Sequence, residues 1–388
     1  MSSILEIAKK LNKEFSDSTL AVKATVTPEY QRMPTNAFGL DYPLYGGLVY
    51  GRIITLAGLF HSGKTTAACM AVSAYQRENP DKICVYVDVE HSLDLKFQSK
   101  MTGMDTNKLI YFNPKTLTGE QILDAVIEFQ NADDIGMIVL DSLPALLPAS
   151  ALESDIEKDP GMRGTIAKPL HRFLIAMSNL VNQKNNILVL VNQVRITGYT
   201  FTGAPIYSEP CGQAPMYYSS IKVRFGTRTF IKGDKVDASD GEGAEGFRLK
   251  FAITKNKCGP VARGGGFLSF NYQTGFMWLD DMMEIASKFD FIYKSGSYYT
   301  LINLETGKPY LDKNGKPLKD YLKNLKKYLV ENVDFQKEYI KMLNKYITAN
   351  DESYGNILDA RDQAEIKQQE DSIEQGKVNG NNTDSTKE

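Results

Sequence analysis

From about residue 46, short unbroken apolar runs at 52–57, 83–87, 109–112, 137–140 and 187–191 alternate with helical stretches at 66–76, 119–131 and 167–184. Continuous apolar runs predict strands covered on both faces. Their alternation with helices predicts a doubly wound α/β layer, in which ligands bind beyond the carboxyl ends of the strands. Further along, Ile221-Val223-Phe225, Phe247-Leu249-Phe251-Ile253 and Phe267-Leu268-Phe270 predict more strands joined by hairpin-like turns, and the polar, acidic stretch 234–245 predicts a loop. Residues 318–348 predict two basic helices, with Tyr321, Leu322, Leu325, Tyr328 and Leu329 on one apolar face. Near the start, Ile4, Leu5, Ile7, Ala8, Leu11 and Phe15 repeat at helical spacing, and turn-rich sequence follows to residue 45. A helix of about twelve residues is marginal alone, so this one must pack on its own core or on a neighbouring subunit.

These shifts divide the chain into an N-terminal oligomerisation segment (1–45), a core (46–279), a small C-terminal domain (280–350) and a tail (351–388). The tail has ten acidic and four basic residues and Tyr354 as its one aromatic, a composition that predicts disorder. The whole 388-residue chain balances 45 basic against 47 acidic residues, so any nucleic-acid contact must come from a local groove. The cysteines Cys69, Cys84, Cys211 and Cys258 have no metal-ligand spacing and fit reduced, mostly buried thiols. Three histidines, His61, His91 and His171, speak against a multi-histidine metal centre. No apolar run has signal-peptide character or reaches 18 residues, so a soluble, cytoplasmic protein is expected.

The chemistry sits where the runs end. Gly58-Leu59-Phe60-His61-Ser62-Gly63-Lys64-Thr65-Thr66 has the G-x-x-x-x-G-K-[ST] pattern of a phosphate-binding P-loop, between a strand and a helix. Its glycines let backbone N–H groups approach phosphate oxygens, with the helix dipole assisting. Lys64 is placed to reach the outer phosphates of ATP, and Thr65 to hold Mg²⁺. Asp141, after the strand at 137–140, stands where a carboxylate supports Mg²⁺, although Asp-Ser is also a common helix cap. Glu90, in Asp88-Val89-Glu90-His91, is either the group that polarises attacking water or a solvated loop charge. Gln193, at the end of the last parallel run, is suited to sensing the γ-phosphate. The segment from Val194 to Tyr218 holds Arg195, Tyr199, Phe201, Tyr207, Tyr217, Tyr218, Gly198, Gly203 and Gly212. Loops longer than about 12–15 residues are usually functional or disordered. These residues suit stacking on single-stranded nucleic acid, against the alternative of a surface loop with partly buried tyrosines. A second long segment, 151–168, is acidic at first and then turns through Pro160-Gly161-Met162-Arg163-Gly164.

Taken in order, these segments resemble the RecA family of homologous recombinases. Gly47-Leu48-Val49-Tyr50-Gly51-Arg52-Ile53 resembles its entry strand, and Tyr86-Val87-Asp88-Val89-Glu90-His91-Ser92-Leu93-Asp94 the segment carrying its catalytic glutamate. Val139-Leu140-Asp141-Ser142, Val191-Asn192-Gln193-Val194-Arg195 and Thr254-Lys255-Asn256-Lys257 resemble its second nucleotide motif, its sensing glutamine and its paired lysines. The resemblance spans roughly residues 1–345 and implies a RecA-type P-loop NTPase core: a central, mostly parallel twisted sheet with a short N-terminal helix and a small C-terminal domain.

The resemblance also implies a helical filament on single-stranded DNA, with ATP between protomers and double-stranded DNA as the second substrate. Gly58, Ser62, Gly63, Lys64, Thr65, Thr66, Asp94 and Asp141 would bind ATP, Asp94 near adenine, with Mg²⁺ on Thr65 and Asp141. Glu90, Lys64 and Gln193 would be catalytic, and Lys255 and Lys257 would reach ATP on the adjacent protomer. Gly161, Met162, Arg163, Arg195, Tyr199, Phe201 and Gly212 would contact DNA. The N-terminal helix would dock on the next subunit, and the tail resembles an autoinhibitory one. A single-stranded-DNA-binding protein or mediator is a further candidate partner; no membrane partner is expected. Two departures bear on the relay between subunits: Leu59-Phe60-His61 replaces the usual Pro-Glu-Ser, and Met216 stands where lysine is common, beside Tyr217 at an aromatic interface position. They mark a distant member and leave a viral source open. A ring-forming helicase or motor on the same core, and a non-hydrolysing accessory protein, are the competing expectations.

Overall fold

The computed structural model describes residues 4–14, 30–150 and 166–348, apart from positions 204, 234, 260, 262 and 289. The acidic tail, the segment 151–165 with the expected DNA contacts Gly161, Met162 and Arg163, and all of 15–29 therefore lie outside the described residues. Helix α1 (Ile4–Glu14) forms a unit of its own and buries none of its residues.

Strands β1 (Arg32–Met33) and β2 (Leu48–Val49) pair antiparallel around the short helix α2 (Phe38–Asp41) and lead into the core. The core elements are β3 (Arg52–Gly58), α3 (Lys64–Glu78), β4 (Ile83–Asp88), α4 (Leu95–Thr102), β5 (Leu109–Phe112), α5 (Gly119–Asn131), β6 (Ile135–Asp141), α6 (Ala167–Lys184) and β7 (Ile187–Gln193). Then come β8 (Arg195–Tyr199), β9 (Pro205–Ser208), α7 (Ala214–Tyr218), β10 (Ile221–Phe225), β11 (Thr229–Lys232), β12 (Lys235–Ala238), β13 (Gly246–Asn256), β14 (Gly265–Asn271) and β15 (Gly275–Phe276).

Eleven of these strands form one sheet. Its six-strand parallel half runs β10-β3-β7-β6-β4-β5, and antiparallel β13 joins it to β11, β12, β14 and β15. Side chains alternate across a strand, and here both faces are covered. Cys84, Tyr86, Met137, Val139, Val189 and Val191 pack with α3 in one apolar cluster. Val85, Val87, Ile138, Leu140, Leu188 and Leu190 pack with α5 and α6 in another. The two-sided burial explains why these strands are unbroken apolar runs. The chain thus has the expected α/β core.

A third cluster gathers α8 (Trp278–Lys288), the small sheet of β16 (Ile292–Ser295), β17 (Tyr298–Asn303), β18 (Lys308–Pro309) and β19 (Lys319–Asp320), and helices α9 (Leu322–Glu331) and α10 (Val333–Thr348). Two expectations change. The stretch 234–245 is not all loop, because Lys235–Ala238 pairs with β11 as the edge strand β12. The segment after Gln193 is not one long loop: β8 and β9 form a hairpin, and α7 follows. Among the described residues, no helix is long and apolar enough to cross a membrane.

Candidate active site

Four parallel strands, β3, β4, β6 and β7, deliver their carboxyl ends to one place. Gly58 ends β3, and a side chain there would strike Ser62 Oγ at 2.5 Å and Phe225 O at 2.9 Å. Gly63 caps α3 at φ +82°, where a Cβ would lie 2.3 Å from Leu249, so position 63 tolerates only glycine. Between them Lys64 folds its ammonium back into the loop, 2.8 Å from Leu59 O and 3.5 Å from Ser62 Oγ. Burial pushes the Lys64 ammonium below its usual range, while Asp141 and Glu90 pull the other way.

Asp141, the last residue of β6, is 5% exposed. Its Oδ2 accepts from Thr65 Oγ1 at 2.8 Å and from Tyr86 Oη at 2.6 Å. Burial raises Asp141 to about 6 against the lowering effect of those two hydrogen bonds. A hydroxyl and a carboxylate thus converge beside the loop, a hard-oxygen donor pair that fits Mg²⁺. Thr66 lies one residue further into the helix and is buried.

Glu90, just past β4, is exposed. Its Oε1 accepts from Gln193 Nε2 at 2.9 Å and from Ser142 Oγ. The two contacts fall on one oxygen, leaving Oε2 without a protein hydrogen bond among the described residues. Three strand ends therefore meet in a Glu90–Ser142–Gln193 cluster. Ser142 reads in the sequence as a helix cap after Asp141; its actual partner is 52 residues away, with no local signal. Asp88 is fixed beneath this layer by Tyr111 Oη at 2.8 Å and the Leu93 N–H at 3.0 Å.

The other expected residues lie apart from this cluster. Asp94 caps α4, accepting the Phe97 N–H at 2.9 Å, and is exposed. Lys255 donates to the carbonyls of Met216 and Tyr217, and Lys257 donates to that of Tyr217 at 3.0 Å. Burial, then the charges of Lys257 and Lys222, push Lys255 down to about 8. Strand register separates both lysines from the P-loop. Lys255 pairs with Lys222, and Lys222 with Thr55, three residues before Gly58. Lys257 bonds to Ser220, which bonds to Ile53. At about 3.3 Å per residue and 4.8 Å per strand, the lysines sit on the order of 15 Å from their own P-loop level.

Arg195, Tyr199 and Phe201 stand on the β8–β9 hairpin, directly after Gln193, and all three are exposed, Phe201 fully. Tyr207 on β9 stacks under Arg224, whose guanidinium carbon is 5.0 Å from the ring centroid. The tyrosines at 199, 207 and 217 are exposed, whereas Tyr218 is half-buried against the cluster of α5 and α6, so the two readings of this segment each hold for part of it. Gly212 takes φ +75° in the turn before α7.

A family model for the RecA N-terminal domain matches residues 2–276. The chain is 30% identical to Protein RecA of Aquifex pyrophilus over 302 residues, covering 76% of this chain and 81% of that protein. It is 31% identical to Protein RecA of Ehrlichia ruminantium (strain Gardel) over 307 residues, covering 79% and 80%. Protein RecA of Wolbachia pipientis subsp. Culex pipiens (strain wPip) is 30% identical over 323 residues, covering 83% and 84%. The solved RadB recombinase aligns at a TM-score of 0.43 and 20% identity, covering 62% of this chain and 97% of that one, a likeness too weak to add to these.

Proposed function

The chain belongs to the RecA family, and from that premise we propose that it is an ATP-dependent recombinase. In this reading it assembles as a helical filament on single-stranded DNA, hydrolyses ATP faster when DNA is bound, and exchanges strands with a homologous duplex in recombination and repair in the cytoplasm. The observation that carries it is the Glu90–Gln193 hydrogen bond of 2.9 Å. It joins the candidate base to the residue from which the exposed aromatic hairpin departs.

The work of each residue follows from its surroundings. Gly58 and Gly63 open the loop backbone to phosphate, with Ser62 and Thr66 completing the cradle. Lys64 leaves Leu59 O for the outer phosphates. Thr65 and Asp141 would hold Mg²⁺, which when bound supplies positive charge to the phosphate oxygens. Asp94 flanks the adenine. Glu90, held at Oε1 by Ser142 and Gln193, accepts on Oε2 the proton of the water that attacks the γ-phosphate. Gln193 swings toward the γ-phosphate and shifts the hairpin bearing Arg195, Tyr199 and Phe201; with Gly212 and the Gly161-Met162-Arg163 turn, these residues line the DNA path.

The displacement of Lys255 and Lys257 from their own P-loop supports their acting on ATP of the neighbouring protomer, which ties hydrolysis to assembly. In the same reading residues 1–45 carry the oligomerisation contact, 46–279 the ATPase and 280–350 a separate C-terminal domain.

Glu90→Gln is the discriminating variant. It should bind ATP and single-stranded DNA as the wild type does, while turnover falls about 10²–10⁴-fold. Normal turnover would remove Glu90 from the chemistry.

A further inference from the structure

Among the described residues the β8–β9 hairpin pairs with no other strand, so side chains hold it to the main sheet. They come from its return strand at alternate positions. Tyr207 lies under the guanidinium of Arg224, and Glu209, two residues on, forms an ion pair with Lys222. Lys222 and Arg224 alternate in the same way along β10, on the face opposite Ile221, Val223 and Phe225, which pack in the α3 cluster. The Glu209 contact is the enclosed one: the Lys222 and Glu209 side chains are 11% and 22% exposed. Lys222 stands opposite Lys255 in register, so Glu209 brings negative charge to a place crowded with cations. Its second oxygen is also engaged. Oε2 accepts from Asn192 Nδ2 at 3.2 Å. Asn192 is fully buried, and its own Oδ1 accepts the Gln193 N–H at 3.0 Å. One amide therefore joins the return end of the hairpin to the backbone of Gln193, beside which the outgoing strand departs.

We propose that Glu209 is a positioning residue: accepting from Asn192 while paired to Lys222, it couples the hairpin to Gln193 and sets how strongly single-stranded DNA stimulates ATP turnover. This rests on the recombinase reading above and adds to it a second tie, at the far end of the hairpin. A hairpin held at one end turns about that end and leaves its root in place. Held at both ends to the neighbours Asn192 and Gln193, it moves only with them. Displacement of the return strand then reaches the Gln193 backbone through Glu209 and Asn192, and from there the Glu90–Gln193 hydrogen bond. The two oxygens of Glu209 divide the work. The ion pair with Lys222 aims the carboxylate, and the bond from Asn192 carries the motion. A neutral oxygen at position 209 is enough for the second task.

Variants of the full-length chain test this. Removing one partner of the ion pair would leave a charge enclosed, so both are changed together. ATP turnover with and without oligo(dT), anisotropy of a labelled oligo(dT) and binding of a fluorescent ATP analogue are compared, with circular dichroism as the check of fold. Glu209→Ala with Lys222→Met should lose about tenfold of the stimulation by oligo(dT), within the ordinary span of coupling between sites. Affinities for oligo(dT) and the ATP analogue should stay within about threefold of wild type, because Tyr207 on Arg224 still seats the hairpin. Glu209→Gln with Lys222→Met should recover stimulation to within about threefold of wild type, because an amide oxygen again accepts from Asn192. Asn192→Ser keeps the ion pair and drops the donor; it should lose stimulation as the first double variant does, and it decides the matter if a double variant unfolds. Full stimulation in Glu209→Ala with Lys222→Met or in Asn192→Ser overturns the coupling. Equal loss in both double variants, or a loss of oligo(dT) affinity that matches the loss of stimulation, overturns it too, because either result reduces Glu209 to structural support. Wild-type turnover that oligo(dT) does not stimulate overturns the recombinase reading instead.

Discussion

The strand-end cluster and the β8–β9 hairpin adjoin each other at Gln193, yet they are built on opposite terms. Asp141 is almost fully enclosed and takes two hydrogen bonds, and Glu90, Ser142 and Gln193 are tied together. The hairpin instead exposes Ile196, Tyr199, Phe201, Ile206 and Tyr207. Chemistry on a phosphate needs groups already aimed at the charge, which a hydrogen-bonded network supplies. A surface that follows a flexible strand needs faces for bases to stack on, and accepts adjustment. The chain joins the two directly, β7 ending at Gln193 and β8 starting at Arg195.

The largest test of that contrast is Lys64→Ala. Loss of the one ammonium inside the loop should weaken ATP binding by about a hundredfold or more, measured by calorimetry, with the fold retained by circular dichroism. Next is the hairpin. Tyr199→Ala with Phe201→Ala should lower single-stranded DNA affinity by roughly tenfold or more, at about 1–3 kcal/mol per stacked base, and leave ATP affinity without DNA unchanged. A matching loss of ATP affinity would mean that the two regions are one rigid site. Ser142→Ala should reduce turnover by about tenfold while ATP binding persists, because Glu90 would lose one of the two donors that orient it.

The smallest test separates burial from function. Asp41 is 2% exposed and accepts from Thr35 N at 2.9 Å and Thr35 Oγ1 at 2.7 Å, far in sequence from the strand ends. Burial raises it from 3.8 to about 7. A raised carboxylate contributes most stability below pH 3.8, and that contribution is lost as pH rises toward 7, since the unfolded chain ionises first. Asp41→Asn should therefore flatten the fall in unfolding free energy between pH 4 and 7 by roughly 2–4 kcal/mol, read from denaturant titrations. ATP turnover should not change.

How much of this is legible in sequence depends on whether the signal is local. The parallel strands are, because two-sided burial writes itself as unbroken apolar runs. Helices α5 and α6 match their expected ranges because their apolar spacing is regular and, for α5, Thr118 and Gln121 form a capping box. The hairpin is not legible, since Arg195–Tyr199 is solvated almost throughout and shows no apolar alternation. Edge strand β12 hides for the same reason: its first three residues are exposed. Helix α4 escapes notice because it is short and its cap, Asp94, also fits a ligand role. Glu90 and Gln193 announce themselves by following strands. Their meeting at Ser142 does not, because it joins residues 52 and 103 positions from Glu90, and only the sheet order brings them together.

In the proposed recombinase, DNA on the hairpin reaches the carboxylate of Glu90 through Gln193. Steady-state ATP turnover with and without single-stranded DNA, on the wild type and on Gln193→Ala, tests it most directly. Strong stimulation by DNA is expected in the wild type, and its loss in Gln193→Ala with ATP binding intact. Turnover indifferent to DNA, or full stimulation in Gln193→Ala, would contradict it.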